Sequence, residues 1–398
     1  MSTTPSAENT YKAPTLANAV FALGFRPFFL AAGIYAVLMM ALWLMMLAGH
    51  LDPGKFTPLA WHGHEMLFGF TIAVIAGFLL TAAQNWTGIA MPSGRPLILL
   101  FVLWIAGRLA FLIPNLPAPL VALLDLSFLP VLAVALALPV LRTRQLHNYP
   151  FPFLVLALAA ANAVVHLNAL GLLNTRPLLG LHLAAYLVVM MMVLMGGRVI
   201  PSFTENKLRS NARRWKVIEV SAPILALVTL ITALIAPIGP ITAMLAAITA
   251  AIHLIRLAGW YTSKLWAVPL LWILHLGYAW IAIGFALLAL YAAGMPTAGG
   301  SALHAFTAGG IGVLTLGMMA RVSLGHTGRL LEPPRVMTLA FIAINFAALV
   351  RVVVPLLFPV LHPLAMTIAG LAWIVAFGLY AIIYAPMLLR PRVDGRPG

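Results

Sequence analysis

Four histidines are the residues of this chain whose type and position point most directly to chemistry. They stand near the starts of three long apolar segments, as His62 and His64, His182, and His304. An ionisable side chain inside an apolar segment is costly and is usually kept for function. Neutral imidazole is a ligand of iron and copper. The pattern therefore predicts metal or haem ligation. The alternative is that each histidine is an ordinary polar residue at a helix end.

The chain contains no cysteine. This excludes disulfides, thiolate metal ligands, iron–sulfur clusters and the C-x-x-C-H attachment of c-type haem. Any metal or haem would therefore be held by histidine, methionine, carboxylate or backbone, and the predicted cofactor is a b-type haem.

His62 and His64 are two residues apart, which separates them by about 200° around a helix. They cannot face one small site together. They could serve two cofactors on opposite sides of the helix, or one could bind a metal while the other forms a hydrogen bond at the interface. The sequence does not determine which pair of the four histidines shares an iron; His64 with His304 is the first choice, because they occupy equivalent positions in the internal repeat described below.

Three further charged residues lie close to the depth of the histidines. Glu65 is a candidate proton relay or metal ligand, and the alternative is an interfacial carboxylate. Arg108 and Arg351 stand inside apolar segments, where an arginine needs an anion. Haem carboxylates would suit a guanidinium, which binds carboxylate through two parallel hydrogen bonds. The alternatives are snorkelling to the interface and, for Arg108, pairing with Asp125.

The remaining buried-segment histidines are interpreted more simply. His166 and His275 are each alone, which favours a hydrogen bond between helices. His253 and His326 are expected to lie in water near the inner face.

The elements that position these residues follow from composition. The 398 residues are 63% hydrophobic and 8% charged, with a mean hydropathy of +1.05, whereas soluble domains carry about 25% charged residues. Continuous apolar runs of about 20 residues indicate membrane-spanning helices. We predict an all-α polytopic membrane protein with twelve spans near 28–48, 58–82, 96–113, 118–141, 151–173, 178–200, 217–237, 239–257, 268–293, 303–322, 336–358 and 362–389.

The basic residues indicate orientation. Of 23 lysines and arginines, nineteen fall in the termini or in loops on one side; the other side has Lys55 and Arg176, and two lie within spans. The positive-inside rule predicts that both termini are cytoplasmic, and it explains the net charge of +15 without nucleic acid. The predicted domains are a cytoplasmic segment (1–27), one transmembrane domain (28–389) and a cytoplasmic tail (390–398).

An internal repeat relates spans 2 and 10. At an offset of 240 residues, His64 matches His304, Gly77 matches Gly317, and the pair at 87–88 matches that at 327–328. Span 6 fits at an offset near 120. We predict three four-helix repeats (near 28–141, 151–257 and 268–389) in a pseudo-threefold arrangement, which would bring the histidines toward a shared interior near the outer face. The alternative is chance alignment of apolar helices.

Seven motifs together resemble the NnrS family over nearly the whole chain. They are FALGFRPFF (21–29), WHGHEMLFGF (61–70), AGFLLTAA (76–83), NWTG (85–88), GGRVIPSFTEN (196–206), LHLGY (274–278) and HTGR (326–329). The resemblance implies a bacterial inner-membrane protein that contains haem and copper and is linked to nitric oxide stress and denitrification.

A more distant similarity is to the catalytic subunit of haem–copper oxidases and nitric oxide reductases. That subunit also has twelve helices in a pseudo-threefold arrangement, with histidine ligands on helices 2, 6 and 10 near the outer face. Span 7 here (217–237) lacks the histidine pair of its helix 7, and the H-x-H stands in span 2 instead of span 10. A binuclear copper site of that type is therefore not predicted.

These observations leave three functions open. The first is a redox protein that binds or reduces nitric oxide at a histidine-ligated site, with an electron donor that the sequence does not identify. The second is a haem-binding sensor without turnover, and the third is a small-molecule transporter. Transporters usually carry broken helices or midplane acids, and the polar residues here cluster at one depth instead, which favours a cofactor site.

Overall fold

The computed structural model describes residues 19–396 except 53, 55 and 177. The first 18 residues of the predicted N-terminal segment, and Lys55, lie outside the described residues. Within them the chain forms twelve long helices and no strand, which confirms the predicted all-α class. In chain order α1 to α12 are Phe25–Leu47, Pro58–Thr87, Arg95–Ala110, Ala118–Arg142, Pro150–Ala169, Leu179–Leu208, Lys216–Ile235, Pro240–Trp260, Pro269–Ala292, Thr297–His326, Arg335–Leu357 and His362–Leu389.

Eleven of the twelve helices are long and apolar enough to cross a membrane, as in a multi-pass membrane protein. The exception is α3, which has 16 residues and is therefore about 24 Å long, less than the ~30 Å thickness of a hydrocarbon core. The predicted span continued to residue 113, but the helix ends at Ala110. Arg108 consequently lies in the last turn of α3.

Two other helices extend beyond the predicted spans. The helix α6 continues to Leu208 instead of ending near residue 200, and α10 begins at Thr297 instead of near residue 303. Polar or glycine-rich residues form these extra turns. Hydropathy detects only the apolar run, so it places the ends of such helices too close to the centre.

Hydrogen bonds to backbone carbonyl oxygens connect the predicted basic segments to one another at one end of the bundle. Arg26 donates to the carbonyl oxygens of Leu388 and Arg390 at 3.1 and 2.7 Å, so the start of α1 lies beside the end of α12. The loop after α6 meets the end of α8 through Arg213 and Gly259 at 2.8 Å. The tail meets the loop after α10 through a bond from Val393 to a carbonyl there, at 3.2 Å.

The sidedness itself is a prediction that reporter fusions can test. Because the basic residues favour the cytoplasm, fusions after Arg209 and after Arg392 should both report a cytoplasmic location. A fusion after Gly239, which lies between α7 and α8 and donates to the carbonyl of Ala292 at the opposite end, is the matched control and should report the outer side. A periplasmic signal from either basic position would contradict the assignment.

The most buried of the membrane-length helices are α2, α6, α9 and α10. Residues from all four line an apolar cavity of about 90 Å³, among them Met191, Met195 and Met318. The three helices α2, α6 and α10, which carry the predicted histidines, are therefore among those that meet here. The finer arrangement into three four-helix repeats stays a prediction.

A cavity with four histidines and an adjacent ionic cluster

An apolar cavity of about 330 Å³ lies between α1, α2, α6, α10, α11 and α12. Its wall includes His62, His182, His304 and Arg351, surrounded by apolar side chains such as Trp43, Leu67, Phe70, Ile311 and Trp373. We call it the histidine cavity. Small-molecule and cofactor sites typically have volumes of about 300–1,000 Å³ and apolar walls with a few converging polar groups. The cavity has both properties.

The rings of His182 and His304 are fixed in the same way. In each, Nδ1 donates to the carbonyl oxygen four residues earlier, at 3.0 Å to Leu178 and at 2.8 Å to Gly300. This bond selects the tautomer whose Nε2 carries a lone pair. Histidines that bind metals usually hold their other ring nitrogen in this manner. Both residues are therefore prepared as Nε2 ligands.

His62 is held differently. Its ring stacks on Trp43 with the centroids 4.3 Å apart and the planes 18° from parallel. Its Nδ1 atom is buried and has no hydrogen-bond partner among the described residues. A buried ring nitrogen without a partner is uncommon, and it leaves His62 free to accept one.

Arg351 lies at the same cavity without a carboxylate partner among the described residues. Its nearest polar contact is from Nη1 to Nε2 of His362, at 3.4 Å, and His362 also lines the cavity. A guanidinium in an apolar setting needs an anion. The cavity thus presents an unneutralised cation beside imidazole nitrogens.

Both α2 and α10 change to π-helical geometry directly after the repeat-equivalent histidine. The π segments are Glu65–Thr71 and Ala305–Gly312, which coincide at the offset of 240 residues. Short π segments are rare and often mark functional sites. Their matched placement supports the alignment of His64 with His304, and neither helix is broken at that point.

A second polar group, which we call the ionic cluster, lies on the other side of α2. It consists of His64, Glu65, Arg108, Asp125 and His166, contributed by α2, α3, α4 and α5. Their side chains are at most 6% exposed. Ion pairs of this kind are stable in an apolar interior only when every member has partners.

Arg108 pairs with both carboxylates of the ionic cluster. Its Nη1 donates to both Glu65 oxygens at 2.9 Å, and its Nη2 pairs with Asp125 Oδ1. His166 Nε2 lies 2.8 Å from Asp125 Oδ2, which links α5 to α4. The hydroxyl of Tyr35 donates to Glu65 from α1. The cluster therefore ties five helices together.

These positions divide the residues that the sequence singled out. His62, His182, His304 and Arg351 meet at the histidine cavity, whereas His64, Glu65 and Arg108 do not line it. The expected pairing of His64 with His304 on one iron does not fit, because both ring nitrogens of His64 already contact other side chains. The expected contact of Arg108 with haem carboxylates does not fit either, because protein carboxylates occupy that guanidinium. Its pairing with Asp125, the alternative considered, is what the structure contains.

Family comparison agrees with the motifs quoted above. The family described as NnrS protein matches residues 19–392, which is nearly the whole chain. The chain belongs to the NnrS family. No curated protein sequence matches it.

In this NnrS protein, sequence reasoning missed two polar residues of these sites. Asn162 donates to Asp125 Oδ2 at 2.7 Å, and His362 lies at the histidine cavity. Asn162 stands four residues before His166 on α5, where the only other polar side chain is Asn168 near the end of the helix. Residues four apart share a helix face, so this pair was a detectable sign of a polar contact.

The inner half of the protein also differs from expectation. His253, predicted to be solvated, is fully buried. Its Nδ1 lies 2.7 Å from the Tyr278 hydroxyl, which accepts a hydrogen bond from Arg256 at 2.8 Å. Arg256 in turn pairs with Glu219 at 2.5 Å. The buried arginine and its partners explain the burial, because they offer His253 a polar neighbour away from water.

Gly107 allows α3 and α4 to approach closely enough for Arg108 to reach Asp125. A Cβ atom at Gly107 would lie 3.0 Å from the Asp125 Cα and 2.9 Å from its Oδ1. We expect Gly107→Ala to lower the free energy of unfolding by about 1–3 kcal/mol, the usual cost of overpacking. Denaturation in mixed detergent micelles measures this change.

Gly378 in α12 provides the matched control for that substitution. A Cβ there would meet only Val37, at 3.9 Å. Gly378→Ala should therefore be neutral or stabilising by up to about 1 kcal/mol, since alanine favours helix. Equal effects of the two substitutions would show that the close approach at Gly107 does not matter.

Proposed function

We propose that this NnrS-family protein is a membrane haem protein that binds nitric oxide at the histidine cavity. One observation supports the proposal above the others. Four histidines from four helices (His62, His182, His304 and His362) line one apolar cavity, and two of them, His182 and His304, have their Nδ1 atoms bonded to backbone so that Nε2 is available. Family membership supports a role in nitric oxide metabolism.

The residues of the cavity fit a b-type haem by their chemistry. His182 or His304 would hold the haem iron through Nε2, with His62 as a further candidate, so that a position on the iron is left for nitric oxide. Arg351 would neutralise the haem carboxylates, because it has no acidic partner of its own among the described residues. The apolar walls would exclude water from the macrocycle. Haem iron supplies a binding site for nitric oxide and accepts or donates single electrons.

Copper, the second metal implied by the family resemblance, would need donors outside this cavity once haem fills it. Transport is a weaker alternative, because α2 and α10 continue through their π segments without the unwound backbone that transporters use. A haem sensor without turnover would use the same cavity.

The test is the optical spectrum of the full chain purified in detergent, recorded with and without nitric oxide. We expect a Soret band that shifts when nitric oxide is added to the reduced protein. Absence of haem from a folded, haem-supplemented preparation would overturn the proposal. Consumption of nitric oxide by the protein with excess reductant would then identify a reductase, and stable binding without consumption a sensor.

A further inference from the structure

The ionic cluster contains a donor set that the histidine cavity does not use. Nε2 of His64 and Nε2 of His166 lie 3.1 and 2.8 Å from the same oxygen, Oδ2 of Asp125. The ligand atoms of these three residues all lie within 4.8 Å of one another, and the residues are buried. We propose that His64, Asp125 and His166 bind a transition-metal ion on the face of α2 opposite the histidine cavity. The inference does not rest on the proposed function.

The first argument is the chemistry of the donors. Two imidazoles and a carboxylate suit zinc, iron and copper, and Cu²⁺ has the highest affinity among the divalent ions of the first row. A tetrahedral ion with bonds of about 2.1 Å holds its donors about 3.4 Å apart. The observed separations need only a small expansion to reach that value. Asn162 Oδ1, 3.0 Å from His64 Nε2, is available as a fourth donor.

The second argument is that His64 faces only acceptors. Its Nδ1 lies 2.8 Å from Glu65 Oε1, and its Nε2 faces oxygens of Asp125 and Asn162. The orientation of Asn162 is set by its own donation to Asp125, which turns the amide oxygen toward His64. A neutral imidazole has one N–H, so one of its nitrogens would direct a lone pair at an oxygen. A cation between Nε2 and those oxygens removes this conflict.

The third argument is the charge of the cluster. With neutral histidines, one arginine faces two carboxylates, so the buried group carries one uncompensated negative charge. The rings of Phe56, Phe68 and Phe111 lie 4.9–5.5 Å from the His64 ring and limit access of water. A buried excess charge of this kind is costly unless a counter-charge joins it.

The fourth argument is the support around His64. Glu65 accepts from Nδ1 and is itself held by Arg108 and Tyr35. A carboxylate on the outer nitrogen of a ligating histidine fixes its tautomer and raises its basicity. The competing occupant of the site is a proton. A protonated His64 would donate from both ring nitrogens to the same acceptors and would supply the missing positive charge.

Metal titration separates the two occupants. The purified full chain would be treated with a chelator and titrated with Cu²⁺. We expect one tightly bound Cu²⁺ per chain, with electron paramagnetic resonance showing coupling to two imidazole nitrogens. Glu65→Gln removes the partner of a ligating histidine and should weaken Cu²⁺ binding by ~10–100-fold. His166→Ala removes a ligand itself and should weaken Cu²⁺ binding by more than that.

Two controls keep the test decisive. His275→Ala removes a buried histidine outside the cluster and should leave Cu²⁺ affinity unchanged. If His166→Ala does not fold, His166→Gln keeps a polar contact to Asp125, and its Cu²⁺ affinity and its thermal stabilisation by Cu²⁺ can be compared with those of the wild type. Full Cu²⁺ affinity in a folded His166 variant, or no binding of Cu²⁺, Zn²⁺ or Fe²⁺ by the folded wild type, would overturn the site in favour of the proton. Loss of haem with the Cu²⁺ signal intact would affect only the proposed function.

Discussion

Replacing His304 with alanine is expected to reduce haem content per chain by at least about tenfold, because in the proposed haem site the variant would lose a ligand of the iron and not merely an outer partner. The bond from Nδ1 to the Gly300 carbonyl leaves Nε2 of His304 available for that role. No other imidazole in the first turns of α10 could substitute. Haem content is measured by the pyridine haemochrome absorbance relative to protein.

The control for this prediction is His275→Ala, since His275 is buried on α9 but does not line the histidine cavity. That variant should keep its haem. Full haem content in single alanine variants of His62, His182 and His304 would contradict the cavity as the haem site. His64→Ala should retain haem as well, because the ionic cluster lies apart from the cavity.

Replacing Arg108 with leucine is expected to lower the free energy of unfolding by about 3–5 kcal/mol, the usual cost of removing one partner from a buried ion pair. The variant leaves Glu65 and Asp125 as buried carboxylates without their shared cation. Unfolding in mixed detergent micelles measures the change. Adding Glu65→Gln to Arg108→Leu should recover part of the loss, because one unpaired charge is removed.

Arg351→Leu is the matched comparison. Arg351 also lies inside a helix, but its polar contact is with a histidine at 3.4 Å and not with an acid. We expect this variant to change stability little and to lower haem occupancy. A loss of less than about 1 kcal/mol in Arg108→Leu would show that water reaches the cluster, since exposed ion pairs contribute about that much.

Much of the fold could be predicted because it depends on hydropathy and charge alone. Twelve apolar runs became twelve helices, and the basic loops meet at one end. The short α3 was not foreseen, since the apolar run continues past Ala110 into a turn. Neither π segment could be read from the sequence, because the same residues form an ordinary helix by propensity.

The site was predicted only in part, for a geometric reason. Helix periodicity predicts an angle of about 200° between His62 and His64. In the structure the two side chains do lie on opposite sides of α2, His62 at the histidine cavity and His64 in the ionic cluster. Which neighbour each face meets depends on how α2 is rotated and packed. Helices that are apolar on all sides carry no periodic signal of that rotation. The sequence analysis therefore assigned Arg108 to haem carboxylates, whereas in the structure its partners are Asp125 and Glu65.

The separation of His62 and His64 on one helix has a mechanical consequence. A small rotation of α2 about its axis moves the two imidazoles in opposite lateral directions, because they lie on opposite faces. A ligand that turns α2 by holding His62 would therefore shift His64 relative to Asp125. If both proposed sites are filled, their occupancies would be linked thermodynamically, and each ligand would change the affinity for the other by the same factor.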